Sequence, residues 1–205
     1  MAENIVWLGH ASFRIIAAGK VLYIDPWKLS GGPAADVILV SHAHFDHASA
    51  NDVKRLTKTG TVVLTSADTA KELGVPAKVL KPGDSVDVGG MKVTAVPSYN
   101  PAKRFHPRAN DWLGFIIEAD GRRIYYAGDT DVTPEMAKLG PVDVALLPVG
   151  GKYTMDAREA AEAAGKIRPK LAIPYHFGDV VGTRNDAEEF ARLAPCPVDV
   201  LEPEG

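Results

Sequence analysis

Three imidazoles and a carboxylate fall within six residues of this chain, in His42-Ala43-His44-Phe45-Asp46-His47. Imidazole nitrogen and carboxylate oxygen are donors that zinc, iron and manganese all accept. The cluster therefore reads as a metal-binding segment. His42 and His44 lie two apart, so an extended backbone points them to the same side. Asp46 and His47 continue into a turn and can address a second, adjacent ion. The bland alternative is a polar strand-end loop with solvated histidines, and four ligand-type side chains in one turn argue against it. Such a motif becomes an assignment only in the right structural context.

That context comes from the elements around it. The apolar run 37–40 ends directly before the motif and reads as a strand. Gly128-Asp129-Thr130 follows a strand expected over 123–127, and Pro174-Tyr175-His176 follows one over 171–173. Ligands gather beyond the carboxyl ends of strands in open α/β sheets, which makes Asp129 and His176 candidates. Taken alone, each is also readable as a turn or structural residue. Short β-branched runs bounded by turn residues predict further strands over 5–8, 12–17, 21–24, 61–65, 85–88, 92–96, 113–118, 142–147 and 198–201. Helices are expected over 48–58, 67–73, 156–167 and 184–193. Asp156 and Glu159 have capping-box spacing. Ala157, Ala160, Ala161, Ala164 and Ile167 form one small-residue face, and Asn185 or Asp186 is the expected cap of the last helix. Segment 97–110 carries three prolines with Lys103, Arg104, His106 and Arg108, and a loop of that length inside a domain is often functional. Two strand-rich halves, each with helices, suggest a layered α/β sandwich.

The motifs WLGH (7–10), HAHFDH (42–47), YAGDT (126–130), LLPVGG (146–151) and IPYH (173–176) together resemble the metallo-β-lactamase superfamily. The likeness is to the compact metal-dependent hydrolases that include ascorbate-6-phosphate lactonase and N-acylphosphatidylethanolamine phospholipase D relatives. It implies a four-layer αββα sandwich with a dinuclear site at the edge between two sheets. It further implies that His42 and His44 bind one ion, that Asp46, His47 and His176 bind a second, and that Asp129 bridges them. Relatives place a histidine where Asn100 stands here. His106, six residues on, is the candidate replacement; Asn100 as an oxygen ligand and a one-metal site are the alternatives. The implied cofactors are two divalent ions, zinc foremost, with manganese or iron as substitutes. The implied activity is hydrolysis of a small ester, lactone, amide or phosphodiester by a metal-activated bridging water. Asp46 and His10 are the expected catalytic residues, Asp46 orienting the nucleophile and His10 contacting substrate or handing a proton to the leaving group. Asp25 is a candidate to orient a ligand histidine from behind. Two other classes stay open: a non-catalytic metal-binding scaffold, and a di-iron oxygen reductase. The latter group carries glutamate where His44 stands and a flavin domain this chain lacks.

The whole chain bounds these readings. Its 205 residues suggest one domain over 1–205. With 23 Lys plus Arg against 26 Asp plus Glu, the net charge is −3, which lacks the basic footprint of a nucleic-acid binder. The partner expected is a small-molecule substrate, anionic if Lys103, Arg104 and Arg108 receive it. Trp112, Tyr99 and Tyr153 are candidate pocket residues, and Gly150-Gly151 a place where substrate approaches the backbone. A single cysteine, Cys196, allows no internal disulfide and no cysteine-built zinc site. With no secretory signal and no apolar run of about 20 residues, neither membrane association nor export is expected, and a cytoplasmic location is.

Overall fold

Consecutive rather than alternating apolar residues mark strands that are covered on both faces, and such runs form the centre of this fold. The structure, a computed structural model, describes residues 3–204. One sheet holds β1 (Ile5–Gly9), β2 (Ser12–Ala17), β3 (Lys20–Ile24), β4 (Ala35–Val40), β5 (Thr57–Thr65) and β6 (Lys78–Val79), in that spatial order. Strands β1 to β3 pair antiparallel and β3 to β6 pair parallel. The second sheet holds β7 (Ser85–Asp87), β8 (Lys92–Pro97), β9 (Leu113–Ala119), β10 (Arg122–Tyr126), β11 (Val144–Pro148) and β12 (Leu171–Tyr175). There β7 to β10 pair antiparallel and β10 to β12 parallel.

Strand β4 shows how the layers stack. Val37 and Leu39 join the main core, with Phe115, Ile117 and Tyr126 of the opposite sheet, while Ile38 and Val40 face the other way. That outer face is covered by α1 (Ala50–Leu56) and α2 (Ala67–Leu73), through Val53, Leu56 and Leu73. Helices α3 (Ala157–Ile167) and α4 (Arg184–Leu193) cover the second sheet, packing against β11 and β12. The result is the four-layer αββα sandwich, with both sheets shielded from water as parallel strands require.

Several expectations shift. The buried face of α3 uses Ala163 in place of Ala161, and Ala161 borders a surface groove beside Leu193. The cap of α4 is Thr183, neither Asn185 nor Asp186: the Thr183 N–H donates to Asp186 Oδ2 at 2.7 Å, the reciprocal half of a capping box. Helix α1 stops at Leu56, where the Thr57 hydroxyl turns back to the Val53 carbonyl, and β5 starts four residues early. No strand forms at 198–201; that segment makes one bridge, Val198 to Ala172, alongside β12. Pro174 sits inside β12, tolerated because β12 lies at the sheet edge.

Candidate metal centre

Six strand ends converge on one point. His10 follows β1, Asp25 follows β3, the His42–His47 segment follows β4, Asp129 comes shortly after β10, and His176 follows β12; His106 returns from the loop after β8. His10, Asp25 and His176 take positive φ, at 48°, 44° and 65°. Non-glycine residues rarely adopt that region, and such strain concentrates where a site must be held in place.

The histidines are oriented from behind. Asp25 is fully buried, and its Oδ2 accepts hydrogen bonds from Ser41 Oγ (2.6 Å), Tyr126 OH (2.6 Å) and His47 Nδ1 (2.7 Å). Its Oδ1 accepts the Ser41 backbone N–H at 2.7 Å. Because the Ser41 hydroxyl donates to Asp25, its oxygen is the acceptor for His42 Nδ1 at 2.9 Å. Asn100 Oδ1 accepts both the backbone N–H (3.0 Å) and Nδ1 (2.8 Å) of His106. Each of these rings therefore donates from Nδ1 and turns Nε2 inward, which is how such partners fix the tautomer of ligating imidazoles. Asp25 thus takes the orienting role expected of it. Asn100 does not face the cluster as an oxygen donor, since both lone pairs of its carbonyl are engaged by His106.

The inward atoms form two adjoining groups. Donor atoms of His42, His44 and His106 lie within 4.8 Å of one another, and so do those of His10, Asp46, His47 and His176. Asp129 stands between the groups: its Oδ2 is 3.3 Å from His106 Nε2 and 3.0 Å from His176 Nε2, and its Oδ1 is 3.4 Å from His47 Nε2. These contacts lack hydrogen-bond geometry. His47 Nε2, His106 Nε2, His176 Nε2 and Asp129 Oδ1 are all buried without a hydrogen-bond partner. Orphaned buried polar atoms are costly, and so many in one place need a shared partner. Two donors each about 2.0–2.1 Å from one tetrahedral zinc stand roughly 3.4 Å apart, which matches the spacings around Asp129. The residues present fit divalent metal.

The charge balance points the same way. Burial works to raise the Asp129 pKa, but His176 and His47 outweigh it and hold the carboxyl well below its ordinary value. Burial lowers His47, but Asp129 and Asp25 outweigh it and push its pKa well above the usual imidazole value. A proton on His47 Nε2 takes the place an ion would occupy, so proton and metal compete there. Burial lowers His42, His44 and His10, leaving neutral rings suited to ligation.

A family model for the beta-lactamase superfamily domain matches residues 4–176. A UPF0173 metal-dependent hydrolase of Thermococcus onnurineus is 35% identical, over 97% of this chain and 95% of that protein. One from Pyrococcus furiosus is 38% identical over 98% and 96%. The chain belongs to the UPF0173 metal-dependent hydrolase family. A crystal structure from Parabacteroides distasonis superposes on it with a TM-score of 0.89 at 34% identity, covering 98% of this chain and 93% of that one. A metallo hydrolase from Ignicoccus hospitalis gives 0.79 at 27% identity, covering 98% and 95%.

In this UPF0173 chain the cluster forms the floor of a cavity of about 240 Å³ walled by Phe45, Phe105, Tyr153 and Val180. Tyr153 takes its expected place there. Tyr99 does not: it is buried with its hydroxyl on Glu135. Trp112 backs the first group, its ring 4.9 Å from those of both His42 and His44, anchored by Nε1 donating to Asp68 Oδ2 at 2.6 Å. Gly150 is no substrate channel, because a side chain there would meet the His176 carbonyl and, at 3.0 Å, its Nδ1. Lys103 and Arg108 are engaged away from the cavity. Lys103 Nζ bonds Asp131 (2.7 Å) and the Thr154 carbonyl (2.6 Å), and Arg108 pairs with Glu135 (2.8 Å). Sequence reasoning missed Ser41, Tyr126 and the wall residues Phe45, Phe105 and Val180. Ser41, adjoining the motif, was the one with a visible signal. Among the described residues no helix is long and apolar enough to cross a membrane.

Proposed function

We propose that this UPF0173 protein is a hydrolase that holds two divalent ions at the strand-end cluster and cleaves a small ester, lactone, amide or phosphodiester. His42, His44 and His106 would hold one ion, and Asp46, His47 and His176 the other, with Asp129 shared. Zinc is the ion we propose, and manganese and iron accept the same donors. The observation that carries this reading is the set of inward, unpartnered Nε2 and carboxylate atoms around Asp129. When bound, such ions supply Lewis acidity, lowering the pKa of a water to about 7 and offsetting charge that develops on oxygen.

The remaining work falls to the chain. Asp46 Oδ2 accepts from His10 Nε2 at 2.9 Å. Burial works to raise the Asp46 pKa, and the His10 hydrogen bond together with the nearby His47 outweighs it, so the carboxylate stays ionised and able to take a proton from attacking water. Burial keeps His10 neutral, with Nε2–H steering Asp46, so a proton handed to a leaving group would come from the attacking water by way of Asp46 and not from the His10 ring expected to donate it. The scaffold reading loses its motive once His106 stands where Asn100 leaves a gap. The order of the five sequence motifs supports a further proposal, kinship with the lactonase and phospholipase D branch.

The test is a substrate panel of esters, lactones, amides and phosphodiesters, run on zinc- and manganese-loaded protein and repeated after chelation. Turnover that disappears with chelator and returns with metal is expected. Failure of every loaded form on every class would contradict the reading.

A further inference from the structure

The wall of the cavity selects among those bond types. Every lining side chain outside the His/Asp cluster is apolar or aromatic: Phe45, Phe105, Tyr153 and Val180. Phe45 is 70% exposed and Val180 37% exposed, unusual for residues of their kind. Phe45 lies between two candidate ligands, with Trp27 edge-on at 5.9 Å, and Phe105 meets Tyr153 edge-on at 4.8 Å. Exposed apolar surface rimming a concave polar floor marks a binding site rather than chance exposure.

The cations stand outside this cavity. Lys28 is paired with Asp179 at 2.9 Å, and Lys103 and Arg108 are engaged with carboxylates as described. Arg104 and Lys152 lie against the rings of Phe105 and Tyr153, at 5.9 and 5.0 Å, and neither borders the cavity. Apart from the ions proposed at the cavity floor, a negative charge carried beside these walls would lose hydration without gaining an ion pair, which is unfavourable. An uncharged carbonyl compound with an apolar acyl group loses nothing there and gains burial.

Resting on the hydrolase reading above, we infer that the substrate class is uncharged acyl compounds, esters or their cyclic and amide counterparts, whose apolar acyl chain lies against Phe45, Phe105, Tyr153 and Val180. For an ester, the oxygen of water bonds to the acyl carbon, the acyl–oxygen bond breaks, and the alcohol leaves with one proton. The other proton is released with the carboxylate product. The volume of about 240 Å³ is below the range of roughly 300–1,000 Å³ typical of sites for drug-sized ligands, so a short acyl chain fills it.

The experiment uses zinc-loaded full chain with p-nitrophenyl acetate, butyrate and hexanoate, and bis(p-nitrophenyl) phosphate as the charged comparison. In parallel, calorimetry follows binding of the product anions acetate, butyrate and hexanoate. Burial of a methylene supports a gain of up to about fourfold. We expect kcat/KM and product affinity to rise from acetate to butyrate by up to about 15-fold, two methylenes at that rate, and the phosphodiester to be the poorest substrate. Phe45→Ser and Val180→Ser should flatten the butyrate-to-acetate ratio while metal content stays at the wild-type level. A flat series, or a preference for the phosphodiester, overturns the inference. If no compound turns over, the wider substrate panel decides the hydrolase reading, and the binding series still decides the wall assignment: product affinity independent of chain length overturns it.

Discussion

Ser41 does more for the candidate site than its size suggests. Its hydroxyl links the Asp25 carboxylate to the His42 ring, so one small side chain helps present two imidazoles. Loss of such an outer partner commonly weakens metal binding by about 10- to 100-fold. We predict a loss in that range for Ser41→Ala, read by competition with a chromophoric chelator; affinity within twofold of wild type would contradict the role. Gly150→Ala should act from the other side. Its added methyl meets the His176 carbonyl and ring, so His176 must shift and metal occupancy should fall, while far-ultraviolet circular dichroism stays native. At this scale the chemistry was partly legible. His42, His44, Asp46 and His47 declare themselves by spacing, whereas Asn100 as the anchor of His106 does not. That role depends on a loop closing back on itself, which local pattern does not encode.

Loops carry the ligands, so the ties between elements decide their geometry. Lys103 joins the His106 loop to Asp131 and Thr154, with Glu159 of α3 at 3.3 Å. Removing one partner of a charged hydrogen bond that is partly buried costs about 1–3 kcal/mol. Lys103→Met should therefore lower the thermal midpoint and loosen the His42/His44/His106 group, seen as weaker metal affinity; an unchanged midpoint would exclude the tie. A second tie runs from Asp68 in α2 to Trp112, the ring behind that group. Burial works to raise the Asp68 pKa, but hydrogen bonds from Ser66 and Trp112 outweigh it and hold the carboxyl below its ordinary value. A depressed carboxylate contributes stability that is fully present above about pH 4 and lost as pH falls through the lowered value. The urea midpoint of wild type should exceed that of Asp68→Asn at pH 6, and the gap should shrink at pH 3. A gap that stays constant with pH would refute the linkage. Elements with strong local signals were readable, such as β4 and the Asp156-capped α3. The early start of β5 and the missing strand at 198–201 were not, because pairing partners set those ends.

Across the whole molecule, the sandwich brings to one edge residues as far apart in sequence as His10 and His176. Apolar runs such as 37–40 imply sheets buried on both faces, and the motif order carried the rest of the fold. Pattern alone could not select this layering from other α/β arrangements, because nothing local specifies which sheet faces which. The central claim concerns what that edge was built to hold: two ions, one on His42, His44 and His106, the other on Asp46, His47 and His176, sharing Asp129. Neutral imidazole is the ligand form, so occupancy should also weaken as pH falls, with His47 the first ligand to be taken by a proton. The most direct test is the metal stoichiometry of wild type and Asp129→Ala, measured by elemental analysis after equilibration with zinc at pH 7.5 and dialysis. The account predicts two ions per chain in wild type and no more than one in the variant. One ion in wild type, or two held with equal affinity in the variant, would contradict it.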